Sequence, residues 1–276
     1  MRRARIVSRV AGFTLTELAV VFTIVAFLLA AAMYTLSAQT EQRNFEEARR
    51  RLELAKELVL AFAIVNGRLP CPATSTSNGD EAPSGGGACT GYLPNSTNTT
   101  GFLPATAIGF KPVDASGYAT DPWGNRLRYA VASNATQPTG STGCTTPSNP
   151  DAFTTASKLK SSTNSISCAP RDLVICTATQ NTVPGATPSC GTWGTAGDAR
   201  PVTNQLTVVA VIISPGKNTA TASGGTDEGE NVDNDGVFVY HEPRPSDGQG
   251  GEYDDQLVWI SAGELYGKLI AAGQLP

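Results

Sequence analysis

Carboxylates crowd one stretch of this chain. Asp227, Glu228, Glu230, Asp233 and Asp235 stand among Asn231 and Asn234, and Asp254 and Asp255 follow. Like charges at that density repel unless a cation or water screens them. Asn231-x-Asp233-x-Asp235-Gly236, with Glu242 at the twelfth place, nearly matches the spacing of an EF-hand loop. Three features set that reading aside: the first position is Asn, no helix is expected before it, and Val237 to Tyr240 reads as a strand with Pro243 after it. A metal site of another kind and a plain solvated loop both remain. His241 is the only histidine, so any Ser–His or Cys–His nucleophile would rest on it. Its place between Tyr240 and Glu242, at a strand end, reads as an ordinary surface histidine. The glycine runs at 85–87 and 224–225 follow no strand-to-helix pattern, so no phosphate cradle is expected. The chain is not expected to be an enzyme.

Six cysteines, Cys71, Cys89, Cys144, Cys168, Cys176 and Cys190, include no Cys-x-x-Cys pair. With a single histidine beside them, a zinc site is not expected. An even number in a loop-rich chain reads as three disulfides and an oxidising, exported location. Fifteen connectivities are possible for six cysteines, and the sequence does not choose among them. Short loops favour Cys71–Cys89 and Cys176–Cys190, leaving Cys144–Cys168. Each bridge contributes about 2–4 kcal/mol by restricting the unfolded chain.

A third chemical feature is Glu17. It sits at the edge of the uncharged run Leu18 to Met33. A carboxylate at mid-bilayer costs roughly 2.5 kcal/mol or more, so one beside such a run needs a purpose. Arg2, Arg3, Arg5 and Arg9 precede the run with no acid among them, which keeps that end cytoplasmic by the positive-inside bias.

The elements that position these residues follow from periodicity. Beyond Met33, Phe45, Ala48, Leu52, Ala55, Val59 and Phe62 recur three and four apart among charged residues, one apolar stripe of a helix that Asn66-Gly67 and Pro70 end. From Phe13 to Asn66 this makes one helix of 54 residues, about 80 Å at 1.5 Å per residue. Ser, Thr, Asn, Gly and Pro then dominate 72–105, 133–165 and 179–205, which read as surface loops. Strands are expected at Leu127 to Ala132, Leu173 to Thr177, Leu206 to Ser214, Val237 to Tyr240 and Leu257 to Ile260. The wholly apolar stretch from Val208 to Ile213 reads as the central strand, covered on both faces. Ser261 and Glu264 have capping-box spacing at the start of a final short helix that Gly273 ends. The fold class is α+β, with one globular domain carrying long insertions.

The order Gly12-Phe13-Thr14-Leu15-Thr16-Glu17 before the apolar run resembles the processing and assembly signal of type IV prepilins and type II secretion pseudopilins. Asp121-Pro122-Trp123-Gly124-Asn125 resembles a turn of the major type II pseudopilin, and Tyr253 to Ser261 its acidic loop and closing strand. The turn's chemistry agrees: Pro fixes φ, Gly permits positive φ, Asp and Asn bond nearby backbone, and Trp123 is expected to anchor it in the core. Gly67-Arg68-Leu69-Pro70-Cys71-Pro72 resembles a segment after the long helix in other prepilin-like proteins. The Cys-rich loops depart from the major pseudopilin, which points to a minor or pseudopilin-like subunit.

The resemblance implies a type IV pilin-like fold: a long N-terminal helix on an antiparallel sheet, long disulfide-tied loops and a short C-terminal helix. It implies three parts: a leader at 1–12, a transmembrane or filament-core helix half at 13–38, and a periplasmic or extracellular domain at 39–276 that includes the helix half 39–66. A prepilin peptidase would cut after Gly12 and free Phe13, commonly N-methylated, and Glu17 would pair with the terminal amine of a neighbouring pilin or pseudopilin subunit. The location implied is the bacterial inner membrane, crossed once with the N-terminus cytoplasmic, or a surface filament after assembly. The alternative role is a minor tip subunit acting as an adhesin or substrate-recognition module. Loss of the leader leaves 16 basic against 24 acidic residues, about −8, which argues against nucleic-acid binding. The resemblance also implies Ca²⁺ between the acidic loop and the next, with Asp233, Asp235, Asp254 and Asp255 as ligands.

Overall fold

The structure, a computed structural model, describes residues 14–90, 101–132, 135–136, 151–160, 169–178, 190, 200–204, 206–218, 226–232, 236–246 and 251–275, with the backbone alone described at 31–38, 135–136 and 226. The fold is mixed α+β. Along the chain run α1 (Leu15–Asn66), α2 (Ala105–Ile108), β1 (Arg128–Val131), β2 (Ala135–Thr136), α3 (Ala156–Leu159) and β3 (Ala169–Pro170). Then come β4 (Val174–Cys176), β5 (Val208–Ser214), α4 (Thr226–Glu230), β6 (Val237–Val239), β7 (Gln256–Ser261) and α5 (Ala262–Ala271). The five expected strands are β1, β4, β5, β6 and β7. The chain separates into two compact units, 1–45 and 46–276.

In the first unit, Leu15, Val20, Phe22, Phe27 and Leu28 of α1 are exposed. Among the described residues, no helix is long and apolar enough to cross a membrane.

In the second unit the remainder of α1 buries Ala48, Leu52, Ala55, Val59, Leu60 and Ala63. Leu52 to Ala63 share one apolar cluster with Tyr129, Val131 and the six apolar residues of β5. Each large aliphatic side chain removed from water here stabilises by about 1.5–3 kcal/mol. Gly67, at φ 66°, donates its N–H to Ala63 and ends the helix as its composition demands. β5 is buried along its whole length and is the middle strand of the antiparallel sheet β1-β5-β7, as expected from its unbroken apolar run. β4 and β6 form a separate parallel pair, an association that periodicity does not reveal. Ser261 caps α5 by accepting the Glu264 N–H at 3.1 Å, and Lys56 of α1 meets Glu264 at 2.9 Å.

Loops are fastened chemically where apolar residues are few. Cys71–Cys89 and Cys176–Cys190 are bonded, and Cys144 and Cys168 lie outside the described residues. Glu81, inside the loop closed by Cys71–Cys89, makes a buried two-pronged ion pair with Arg68, three residues before that loop, at 2.8 and 2.6 Å. Burial alone would raise the Glu81 carboxyl. Arg68 and the N–H groups of Cys71 and Gly85 outweigh it and hold the carboxyl below its usual range.

Glu81→Ala would leave the Arg68 guanidinium buried and unpaired, which destabilises by about 3–5 kcal/mol. Urea unfolding of the full-length chain in detergent should show that loss. Because the folded pKa of Glu81 is depressed, its contribution is complete above the ordinary carboxylate range and is lost as pH falls through the folded value. Wild type should therefore lose stability below about pH 4 more steeply than an Arg68→Met, Glu81→Leu double variant. Parallel acid profiles would contradict this.

Candidate acidic site

Three carboxylates, Glu228 of α4 and Asp254 and Asp255 just before β7, come together in a buried group. One oxygen from each lies within 4.8 Å of the others. The plain solvated-loop reading is thereby corrected, since Asp254 and Asp255 are 3% and 4% exposed. The cause is local: Gln256 begins an edge strand on β5, so the two residues before it are drawn against the end of the same sheet.

The described hydrogen bonds to this group are these. Asp254 donates its own N–H to Glu228 Oε1 at 2.7 Å. Its Oδ2 accepts the Lys217 N–H at 3.1 Å, and its Oδ1 is buried with no hydrogen-bond partner. Asp255 Oδ2 accepts from Asn231 Nδ2 at 2.8 Å, and Glu228 Oε2 from Asn218 Nδ2 at 3.0 Å. Burial, with repulsion from Glu228 and Glu252 and despite the Lys217 N–H, pushes the Asp254 carboxyl up to about 6. Burial, with Glu228 and Asp254 as neighbouring charges, pushes Asp255 well above the usual carboxylate range. Three carboxyls are thus gathered out of water, and ionising them together is disfavoured. Such a group could hold a hard cation, and an all-oxygen donor set is of the kind that suits Ca²⁺, which accepts irregular coordination.

Two of the four expected ligands fall in this group. Asp254 and Asp255 are in the group, Glu228 joins them, and Asp233 and Asp235 lie outside the described residues. Glu228 was visible in sequence as one of several acids in its loop. Only the placing of α4 against the start of β7 distinguishes it. A one-turn helix does precede Asn231, contrary to expectation, yet an EF-hand is still unsupported. The Asn231 side chain is committed to the Val239 N–H at 2.8 Å and to Asp255, so it ties α4 to β6.

His241 is also placed differently from a free surface histidine. Its Nε2 lies 3.1 Å from Asp227 Oδ2, and its ring rests 3.9 Å, centroid to centroid, from that of Tyr253. Arg244 shares the same Asp227 oxygen at 2.7 Å. Asp227 is thereby neutralised, and the group of Glu228, Asp254 and Asp255 is separate from it in chemistry.

At the other end of the chain, Glu17 has a local partner that sequence reading missed. Its Oε2 accepts from the Thr14 N–H and from Thr14 Oγ1, each at 2.8 Å, while the Glu17 N–H donates to Thr14 Oγ1 at 3.3 Å. This is a reciprocal capping box at the start of α1, and Thr-x-x-Glu was its signal. Gly12 and Phe13 lie outside the described residues.

Comparison with protein-family models, with curated proteins and with solved structures returned no match.

Replacing Asp254 and Asp255 together by Asn should stabilise the full-length protein in chelator, because two crowded buried carboxylates lose their repulsion. The same variant should gain nothing from calcium. Wild type should melt several degrees higher in millimolar Ca²⁺ than in chelator, since ligand binding to the folded state adds about 2.7 kcal/mol at a hundredfold excess over Kd. Identical wild-type melting curves at fixed ionic strength would rule out a calcium role for this group.

Proposed function

We propose that the chain is a structural subunit of a type IV pilus or type II secretion pseudopilus, processed after Gly12 and assembled through Glu17. The observation that carries this reading is α1. One continuous helix begins two residues after Phe13, presents Glu17 in its first turn and exposed apolar residues after it, and ends as the buried stripe of an α+β domain. A helix that leaves a long apolar surface uncovered in the single chain needs lipid or other copies of itself to cover it. In this reading the inner membrane covers it before assembly and neighbouring subunits cover it afterwards. No catalysis is assigned, in keeping with a lone histidine engaged by Asp227 and Tyr253.

The capping box gives the Glu17 role a physical content. In the single chain the carboxylate is held by Thr14. In a filament it would exchange that partner for the ammonium of the next subunit, because an ion pair in hydrocarbon removes two costs at once. Ca²⁺ at Glu228, Asp254 and Asp255 would act structurally, closing the α4 and β7 segments on each other.

Intact-mass analysis of protein from its native host should show loss of residues 1–12, with one added methyl on Phe13. An uncleaved chain, or cleavage after the apolar run, would overturn the assignment.

Glu17→Gln separates capping from charge pairing. It keeps an oxygen for Thr14 and removes the charge. Charge pairing requires Glu17→Gln to be excluded from filaments as fully as Glu17→Ala, with both variants still reaching the membrane. Filament incorporation of Glu17→Gln at wild-type levels would show that Glu17 serves the helix start only.

A further inference from the structure

The turn Asp121-Pro122-Trp123-Gly124-Asn125 has no part in the function proposed above, yet it grips the chain at the exit of β5 from two sides. Asp121 is buried and accepts the N–H groups of Trp123 and Asn125 through Oδ1, at 3.0 and 2.8 Å. Its other oxygen accepts from Ser214 Oγ at 3.0 Å. Two residues beyond Ser214, the carbonyl of Gly216 accepts from Asn125 Nδ2. A carbonyl can only accept, so the amide nitrogen of Asn125 must be the atom that faces it.

The Gly216 carbonyl and the Lys217 N–H belong to one planar peptide unit. On one edge that unit takes the hydrogen bond from Asn125. On the other edge it donates to Asp254 Oδ2 at 3.1 Å. Hydrogen bonds in series polarise one another, so the bond from Asn125 strengthens the donor that meets the carboxylate. The approach is close. Gly216 sits at φ 65°, and a Cβ there would overlap Asp254 Oδ1, the buried oxygen with no hydrogen-bond partner. Glycine is required for both reasons. Arg51 of α1 holds the other flank of the turn by donating to the Thr120 carbonyl at 2.9 Å.

We propose that Asn125 is a positioning residue for a cation at Glu228, Asp254 and Asp255: through the peptide Gly216–Lys217 it sets the orientation of the Asp254 carboxylate. The inference rests on the calcium reading of that group. Outer partners of metal ligands commonly change affinity 10–100-fold when removed. Asn125 does so from a turn that lies far from Asp254 in sequence. By linkage, calcium bound at Asp254 must in turn tighten the hold of Asn125 on Gly216.

The test is calcium titration of the full-length protein in detergent micelles, by calorimetry or chelator competition. Asn125→Ala should raise the Kd for Ca²⁺ about tenfold, the lower end of that range. Asn125→Asp, close in shape but unable to donate, should raise it at least as far. A purely structural turn would lower the melting temperature in chelator and leave the Kd unchanged. If Asp254→Asn abolishes binding while both Asn125 variants stay within twofold of wild type, the positioning role is overturned and the calcium reading stands. If wild type takes up no Ca²⁺ at millimolar concentration, both are overturned. Amide hydrogen exchange on wild type needs no variant to fold: Ca²⁺ should slow exchange at Trp123, Asn125 and Lys217, and unchanged rates there in calcium-saturated protein would contradict the proposal.

Discussion

Carboxylates withdrawn from water have to be met by donors, and the loops of this protein are arranged around that requirement. Glu81 is met by a guanidinium and two N–H groups, and Asp227 by Arg244 and His241. Asp121 is met by backbone N–H groups and the Ser214 hydroxyl. Each solution includes a donor from another segment: Arg68, Arg244 with His241, and Ser214. Leaving a buried charge unmet costs several kcal/mol, so each such pairing fixes a loop more firmly than its few apolar residues could. Glu228, Asp254 and Asp255 differ in kind: three acids bring oxygens within 4.8 Å of one another, and burial with mutual repulsion raises Asp254 and Asp255, an arrangement that the proposed cation would relieve.

The apolar core supplies the frame on which those loops hang. The second part of α1 and the three-stranded sheet share one cluster with β5 at its middle. The segment that leaves the C-terminal end of β5 and the one that enters β7 then bring Ser214, Gly216, Lys217, Asp254 and Asp255 to one end of the sheet. The acidic group therefore sits where backbone position is best determined, which is what a site depending on a few tenths of an ångström needs.

Glu17 answers the same requirement in another way. Among the described residues its partner groups are those of Thr14, in a capping box that any helix start could use. The assembly role proposed for it needs a stronger partner, an ammonium from another chain, and an environment without water. Both conditions arise together when the exposed apolar residues of α1 are covered.

Periodicity and composition determined the elements: a stripe at spacings of three and four required the helix to Asn66, an unbroken apolar run required a central buried strand, and Ser261 with Glu264 required the final helix. These are local properties, set by side chains close together in the chain. The Cys71–Cys89 and Cys176–Cys190 bridges follow the short loops that favoured them. Sequence also marked the acids of the 227–255 region but could not rank them, since repulsion depends on distance and distance is set by how α4 meets the start of β7. Trp123, the expected anchor of its turn, is only half-buried, and Asp121 takes that place because Ser214 stands opposite it. The parallel pairing of β4 with β6, the tie of Asn231 to Val239 and the reach of Asn125 to Gly216 link residues that no spacing relates. Only the tertiary structure decided them, because a hydrogen bond between distant segments is fixed by the packing that brings its two ends together.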